Sequence, residues 1–81
     1  MSKLRVLSGR DLAKVFGRFG FAEVSQRGSH IKLRRVLPDG TRQGLTIPDH
    51  GEMDRGTMMS IYRQASRYIA EADLIPWFYT E

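Results

Sequence analysis

The sequence predicts an α+β fold: a helix, a three-stranded antiparallel sheet and a second helix, with both helices on one face of the sheet. Two observations carry this. Apolar residues recur at helical spacing early in the chain, at Leu12, Val15, Phe16 and Phe19, and again late, at Met58, Ile61 and Ala65. Between them, short runs alternate polar and apolar residues with period two and are separated by glycine-containing turns. A small sheet with one apolar face needs both helices on that face to close a core.

The elements follow in order. Ser8 reads as the cap of the first helix, with Asp11 three residues on, close to a capping box. Gly20 is a natural stop. The first strand is read over residues 21–26. A tight Arg27-Gly28 turn then pairs Val24 with Ile31 and Ala22 with Leu33 on the apolar face, setting Ser25 beside His30 and Glu23 beside Lys32. In the run Gly28-Ser29-His30-Ile31-Lys32-Leu33-Arg34, Ile31 and Leu33 face one way and His30, Lys32 and Arg34 the other. Leu37-Pro38-Asp39-Gly40 reads as a type I turn closed by a left-handed glycine. That turn pairs Leu37 with Thr41, Leu33 with Leu45 and Ile31 with Ile47, and it leaves open space at Gly44 beside Arg34. Asp54 caps the second helix. Its pattern is read on through Tyr68 or Ile69 and Ala72 until Pro76. Trp77, Phe78 and Tyr79 are read as a shield for the core or, in the alternative, as a partner contact.

Bulk properties narrow the function. The 81 residues are read as one small domain, 1–81, with a modest core. Hydrophobic residues at 41% and charged residues at 27% match globular averages and argue against disorder. The chain has no cysteine, which excludes disulfides and cysteine zinc sites and fits a reducing cytoplasm. Two histidines and scattered carboxylates offer no ligand cluster, so neither a metal nor a cofactor is expected. No apolar run approaches membrane-spanning length, so a soluble, cytoplasmic protein is expected, without a membrane partner. The net charge of +4 and a pI near 10.0 point to nucleic acid or an acidic protein as partner.

The basic strand holds the chemistry. Side chains on one strand face follow each other at about 6.6–6.8 Å, so His30 stands in line with two fixed cations. Histidine suits proton transfer because its unperturbed pKa of about 6.5 lies near working pH. Such a surface suits gripping a phosphodiester chain and moving a proton on it, with the cations meeting the charge on phosphoryl oxygens. Lys32 and Arg34 are candidate phosphate contacts; Arg34 has no carboxylate neighbour, whereas Lys32 would face Glu23. Each residue also has a plainer reading. His30 would be a solvated strand histidine, Gly28 a turn glycine instead of a point of close phosphodiester approach, and Ser29 a cap on its own backbone instead of a phosphate donor. His50 is either a second proton-transfer group or a loop residue bonded to backbone. Arg27 and Arg42 either extend the groove or are solvated charge.

The order and spacing of several segments resemble the HicA toxin family, also called the YcfA-like mRNA interferases. These segments are Gly20-Phe21, Gly28-Ser29-His30, Leu45-Thr46-Ile47-Pro48-Asp49-His50, Gly56-Thr57-Met58 and Ile61-Tyr62-Arg63-Gln64-Ala65. The resemblance implies a double-stranded-RNA-binding-domain-like fold and a ribonuclease toxin acting on mRNA. It also implies a HicB-like antitoxin partner and a catalytic histidine at His30. A non-catalytic RNA-binding module on the same fold is the alternative. After Ala65 the chain departs from the family pattern of a glycine-rich break and a short acidic helix: Ser66 to Ala72 reads as continuing the second helix.

Overall fold

The protein's structure, a computed structural model, describes residues 2–80; Met1 and Glu81 lie outside the described residues. The order is β1 (Lys3–Leu4), α1 (Gly9–Gly17), β2 (Ala22–Arg27), β3 (His30–Val36), β4 (Arg42–Pro48), α2 (Arg55–Ala65), α3 (Glu71–Phe78) and β5 (Tyr79–Thr80). The fold is α+β. The antiparallel sheet β2-β3-β4 packs one face against the helices, and β1 pairs with β5.

Local signals in the sequence start and stop the helices. The Ser8 hydroxyl accepts from the Asp11 N–H at 3.0 Å, and the Ser8 N–H donates to the Asp11 carboxylate at 3.1 Å, a full capping box. α1 closes through Gly20 at φ +92°, which lets the Phe21 N–H reach the Phe16 carbonyl at 3.1 Å. Asp54 caps α2 through the Thr57 N–H at 2.7 Å. Leu12 and Phe16 of α1, Met58 and Ile61 of α2, and Ile31, Leu33, Leu45 and Ile47 of the sheet then fill one apolar cluster.

The β3–β4 register is the predicted one: Ile31 pairs with Ile47, Leu33 with Leu45 and Arg34 with Gly44. The β2–β3 register is not. Arg27 pairs with His30, Gln26 with Ile31 and Ser25 with Lys32. The loop is the two residues Gly28-Ser29, and Gly28 takes φ +55°, the sign a type II′ hairpin turn requires at its first central position. A bulge between Glu23 and Ser25 then shifts the pairing again, to Glu23 with Leu33 and Ala22 with Arg34. Without the bulge Val24 would oppose Leu33. With it Val24 is 45% exposed, and Glu23 takes the inner position, where Arg10 of α1 meets it at 3.1 Å. The expected contacts of Ser25 with His30, of Glu23 with Lys32 and of Val24 with Ile31 are therefore replaced.

The second helix does not run on to Pro76. It ends at Ala65, whose carbonyl accepts from both Tyr68 and Ile69, at 2.9 and 3.0 Å. The turn buries Ile69 and sends Leu74 and Phe78 of α3 into the same core. α3 opens on Glu71 and Asp73 and contains Pro76, whose missing N–H removes one bond from a helix of only eight residues. Phe78 is core, as the shielding role expects. Trp77 lies partly buried, with the Arg18 guanidinium 5.0 Å from its ring centre.

One half-buried cation ties these turns together. Arg35 lies next to Gln43 in the register and donates to its side chain at 2.8 Å, to the Phe19 carbonyl at 2.9 Å and to the Tyr68 carbonyl at 3.0 Å. Its guanidinium also lies 4.8 Å from the Phe21 ring centre. A cation is favourable there because both carbonyls follow helix C-termini. Arg35→Ala is expected to lower unfolding free energy by about 2–4 kcal/mol. Hydrogen bonds from a charged group contribute about 1.5–3 kcal/mol and the ring contact about 0.5–1 more. Urea denaturation measures it; a loss under about 0.5 kcal/mol would make Arg35 ordinary surface.

Candidate functional site

The helices cover only one face of the sheet, and the register sorts the other face into rows. Arg27, His30 and Pro48 form the first row, Ser25, Lys32 and Thr46 the second, and Ala22, Arg34 and Gly44 the third, with Arg42 opposite Val36 beyond. Rows stand about 6.6–6.8 Å apart and strands about 4.7–4.9 Å apart. The first two rows enclose a shallow open groove lined by Ser25, Arg27, His30, Lys32 and Thr46.

The charge on this face is one-sided. Glu23 is turned to the inner face, so Lys32 has Ser25 and Thr46 beside it instead of a carboxylate. Among the described residues the ion pairs are those of Arg10 with Glu23 and Asp49, and none engages Arg27, Lys32, Arg34 or Arg42. An array of unpaired cations concentrates positive potential and attracts anions.

The structure brings His30 and Lys32 into one groove and adds Ser25, Arg27 and Thr46. Arg34 stands one row on, flanked by Ala22 and Gly44. A Cβ at Gly44 would meet only the Leu33 carbonyl, at 3.8 Å, so the space there is open. Gly28 has no protein atom within 4 Å of a Cβ position, and its φ of +55° favours glycine. Ser29 is exposed, and its carbonyl accepts from the Asp49 N–H. His50 does not line the groove, and its carbonyl accepts from the Gly9 N–H at 2.9 Å. A Cβ at Gly9 would collide with the Pro48 carbonyl, so glycine lets α1 start against the end of β4.

Behind the hairpin turn lies a polar cluster. Arg10 donates to Glu23 at 3.1 Å, to Gln26 at 2.6 Å and to Asp49 at 3.2 Å. Gln26 donates to Asp49 at 2.9 Å and to the Gly28 carbonyl at 3.1 Å. Hydrogen bonds from Gln26 and then Arg10 hold the Asp49 carboxyl below the usual carboxylate range, and Asp49 in turn raises the Arg10 guanidinium. Sequence reasoning missed Gln26 and Arg10 here. A Gly-Ser pair read as a complete two-residue loop would have paired Gln26 with Ile31 and Arg27 with His30.

Among the described residues no helix is long and apolar enough to cross a membrane, and no three histidine or carboxylate side chains gather as a metal site. The fold and this face define a small basic α+β protein whose uncovered sheet face sets unpaired cations around a histidine. Over residues 9–66 the chain matches the HicA toxin of bacterial toxin–antitoxin, and it belongs to that toxin family. Membership implies an antitoxin as partner. Comparison with curated proteins gave no match, and comparison with solved structures gave none.

Gly28→Ala forces an L side chain into the left-handed region at a cost of about 1–2 kcal/mol. For a chain of this size that corresponds to a fall in melting temperature of about 4–15 °C. A thermal melt checks it; an unchanged midpoint would mean that Gly28 is not the first central residue of the loop.

Proposed function

We propose that the protein is the toxin of a toxin–antitoxin pair and acts as a metal-independent endoribonuclease on mRNA, with His30 as general acid or base. The observation that carries this reading is the placement of His30 beside Arg27 and one row from Lys32, in a groove with no carboxylate among its lining residues. His30 moves a proton on the substrate: a base takes it from the 2′-OH as that oxygen bonds to phosphorus. The bond from phosphorus to the 5′ oxygen then breaks, and an acid protonates the leaving oxygen. Arg27 and Lys32 stabilise the charge on the phosphoryl oxygens, and Arg34 holds a neighbouring phosphate. Gly28 and Ser29 form the turn that presents His30 to the RNA, with the Ser29 hydroxyl as a phosphate donor. His50 is the candidate for the second proton transfer. A HicB-like antitoxin covers the basic face in the resting cytoplasmic pair.

The family match supports the toxin role, and the one-sided charge supports an RNA substrate. His30→Ala separates cleavage from binding. The side chain is exposed, so its loss leaves no cavity and is expected to change stability by less than about 0.5 kcal/mol. Loss of a general acid or base lowers rate by about 10²–10⁴-fold. In excess EDTA the parent is expected to cut RNA, and the variant to fold and bind RNA while cutting at a small fraction of that rate. A folded variant that cuts at the parental rate overturns the role of His30, and a parent that binds without cutting favours the non-catalytic binding module.

A further inference from the structure

The hairpin loop that presents His30 has two carbonyl groups, and the polar cluster behind it holds both. Gln26 donates to the Gly28 carbonyl at 3.1 Å, and the Asp49 N–H donates to the Ser29 carbonyl. Gln26 is the hub. Its amide nitrogen serves Gly28 and, at 2.9 Å, the Asp49 carboxylate, while its amide oxygen accepts from Arg10 at 2.6 Å. The amide thus uses both donors and an acceptor site. The far ends of this cluster are anchored. Arg10 belongs to the first turn of α1, and the Gly9 N–H bonds the His50 carbonyl at 2.9 Å, one residue past Asp49. The loop is therefore tied to α1 and to the end of β4 as well as to its own strands.

Gln26 pairs with Ile31, so it belongs to the helix-covered face and not to the face of His30. It is absent from the groove lining. Any effect on the chemistry of the groove must pass through the backbone of residues 28–30. A displacement of about 1 Å at a reacting group can cost about 10²-fold in rate, and a two-residue loop held only by its strands has little else to fix it.

We propose that Gln26 is a positioning residue for His30, acting by clamping the Gly28-Ser29 loop to Asp49 and Arg10. This rests on the ribonuclease reading for its kinetic arm and not for its structural one. The contrast variant is Glu23→Ala: Glu23 belongs to the same cluster and pairs with Arg10, but its side chain bonds no loop atom.

The experiment compares the parent, Gln26→Ala and Glu23→Ala by single-substrate RNA kinetics and by backbone ¹⁵N relaxation. Gln26→Ala is expected to lower kcat by about 10–100-fold with KM for RNA changed less than about twofold. Its Ser29 and His30 amides are expected to fall from order parameters of about 0.85 to below about 0.6. Glu23→Ala is expected to change neither. Gln26→Glu keeps the side-chain size and the acceptor for Arg10 but loses the amide donors, so it is expected to repeat both changes if the alanine variant does not fold. A Gln26 variant with a rigid loop and parental kcat overturns the proposal. So does a Glu23→Ala protein with the same losses, because the cluster would then act on stability in general. If the parent cuts no RNA, the ribonuclease reading fails alone, and the order parameters still decide whether Gln26 fixes the loop.

Discussion

A two-residue turn governs the rest of this molecule. In a strand the side-chain period is two, so a slip of one residue sends every side chain to the opposite face. The Gly28-Ser29 loop, with Gly28 at φ +55°, allows one pairing at the hairpin tip, Arg27 with His30. From that pairing Gln26 must share the side of Ile31, and Ser25 must share the side of Lys32. The Glu23–Ser25 bulge adds a second correction and sends Glu23 inward to Arg10. The bulge thereby clears the acidic side chain of β2 from the outer face, where the tip pairing alone would set Glu23 opposite Arg34.

This separation of charge gives the face its character. The pairs of Arg10 with Glu23 and Asp49 are exposed and contribute little to stability by themselves. Their consequence is positional: they occupy the carboxylates nearest the sheet. Arg27, Lys32, Arg34 and Arg42 are then left without acidic partners among the described residues, and a polyanion can replace the water around them. The opposite edge of the sheet is closed differently. The Gln64 side chain of α2 accepts from the Thr46 N–H at 2.8 Å and donates to the Thr46 carbonyl at 3.2 Å, standing in for a neighbouring strand. Thr46 thereby keeps its place in the groove.

Much of this was legible in the residues. The Ser8–Asp11 box, the Asp54 cap and the Leu37–Thr41 turn are local signals, and local hydrogen bonds satisfy them. The β3–β4 register followed from the second of the two sheet turns. The β2–β3 register did not: taking Arg27-Gly28 as the loop shifted the pairing by two residues, and the bulge, which no local signal marks, then turned Val24 and Ala22 away from the core. The real inner residues of β2 are polar, and only α1 supplies the partner, Arg10, that makes them acceptable there. The end of α2 was hidden for a similar reason. Residues 66–72 carry a helical pattern, but bonding of Tyr68 and Ile69 to Ala65 and of Arg35 to Tyr68 turns the chain. Nothing local in the sequence marks Arg35, because its three acceptors come together only in the fold. At the site, His30, Lys32 and Arg34 were legible from alternation, and Ser25 was expected on their face; only the hairpin register sets Ser25 beside Lys32 and Arg27 beside His30.

The central claim is that the uncovered face, as set by the Gly28-Ser29 register, is the one that meets RNA. A titration of ¹⁵N-labelled protein with a 2′-O-methyl oligoribonucleotide tests it directly, because the blocked 2′ oxygen permits binding without attack. The account predicts that shifts concentrate at Ser25, Arg27, His30, Lys32 and Thr46 and weaken as salt is raised. Shifts centred instead on exposed cations of the helical side, such as Arg55, Arg63 and Arg67, with the β2-β3-β4 rows silent, would contradict it.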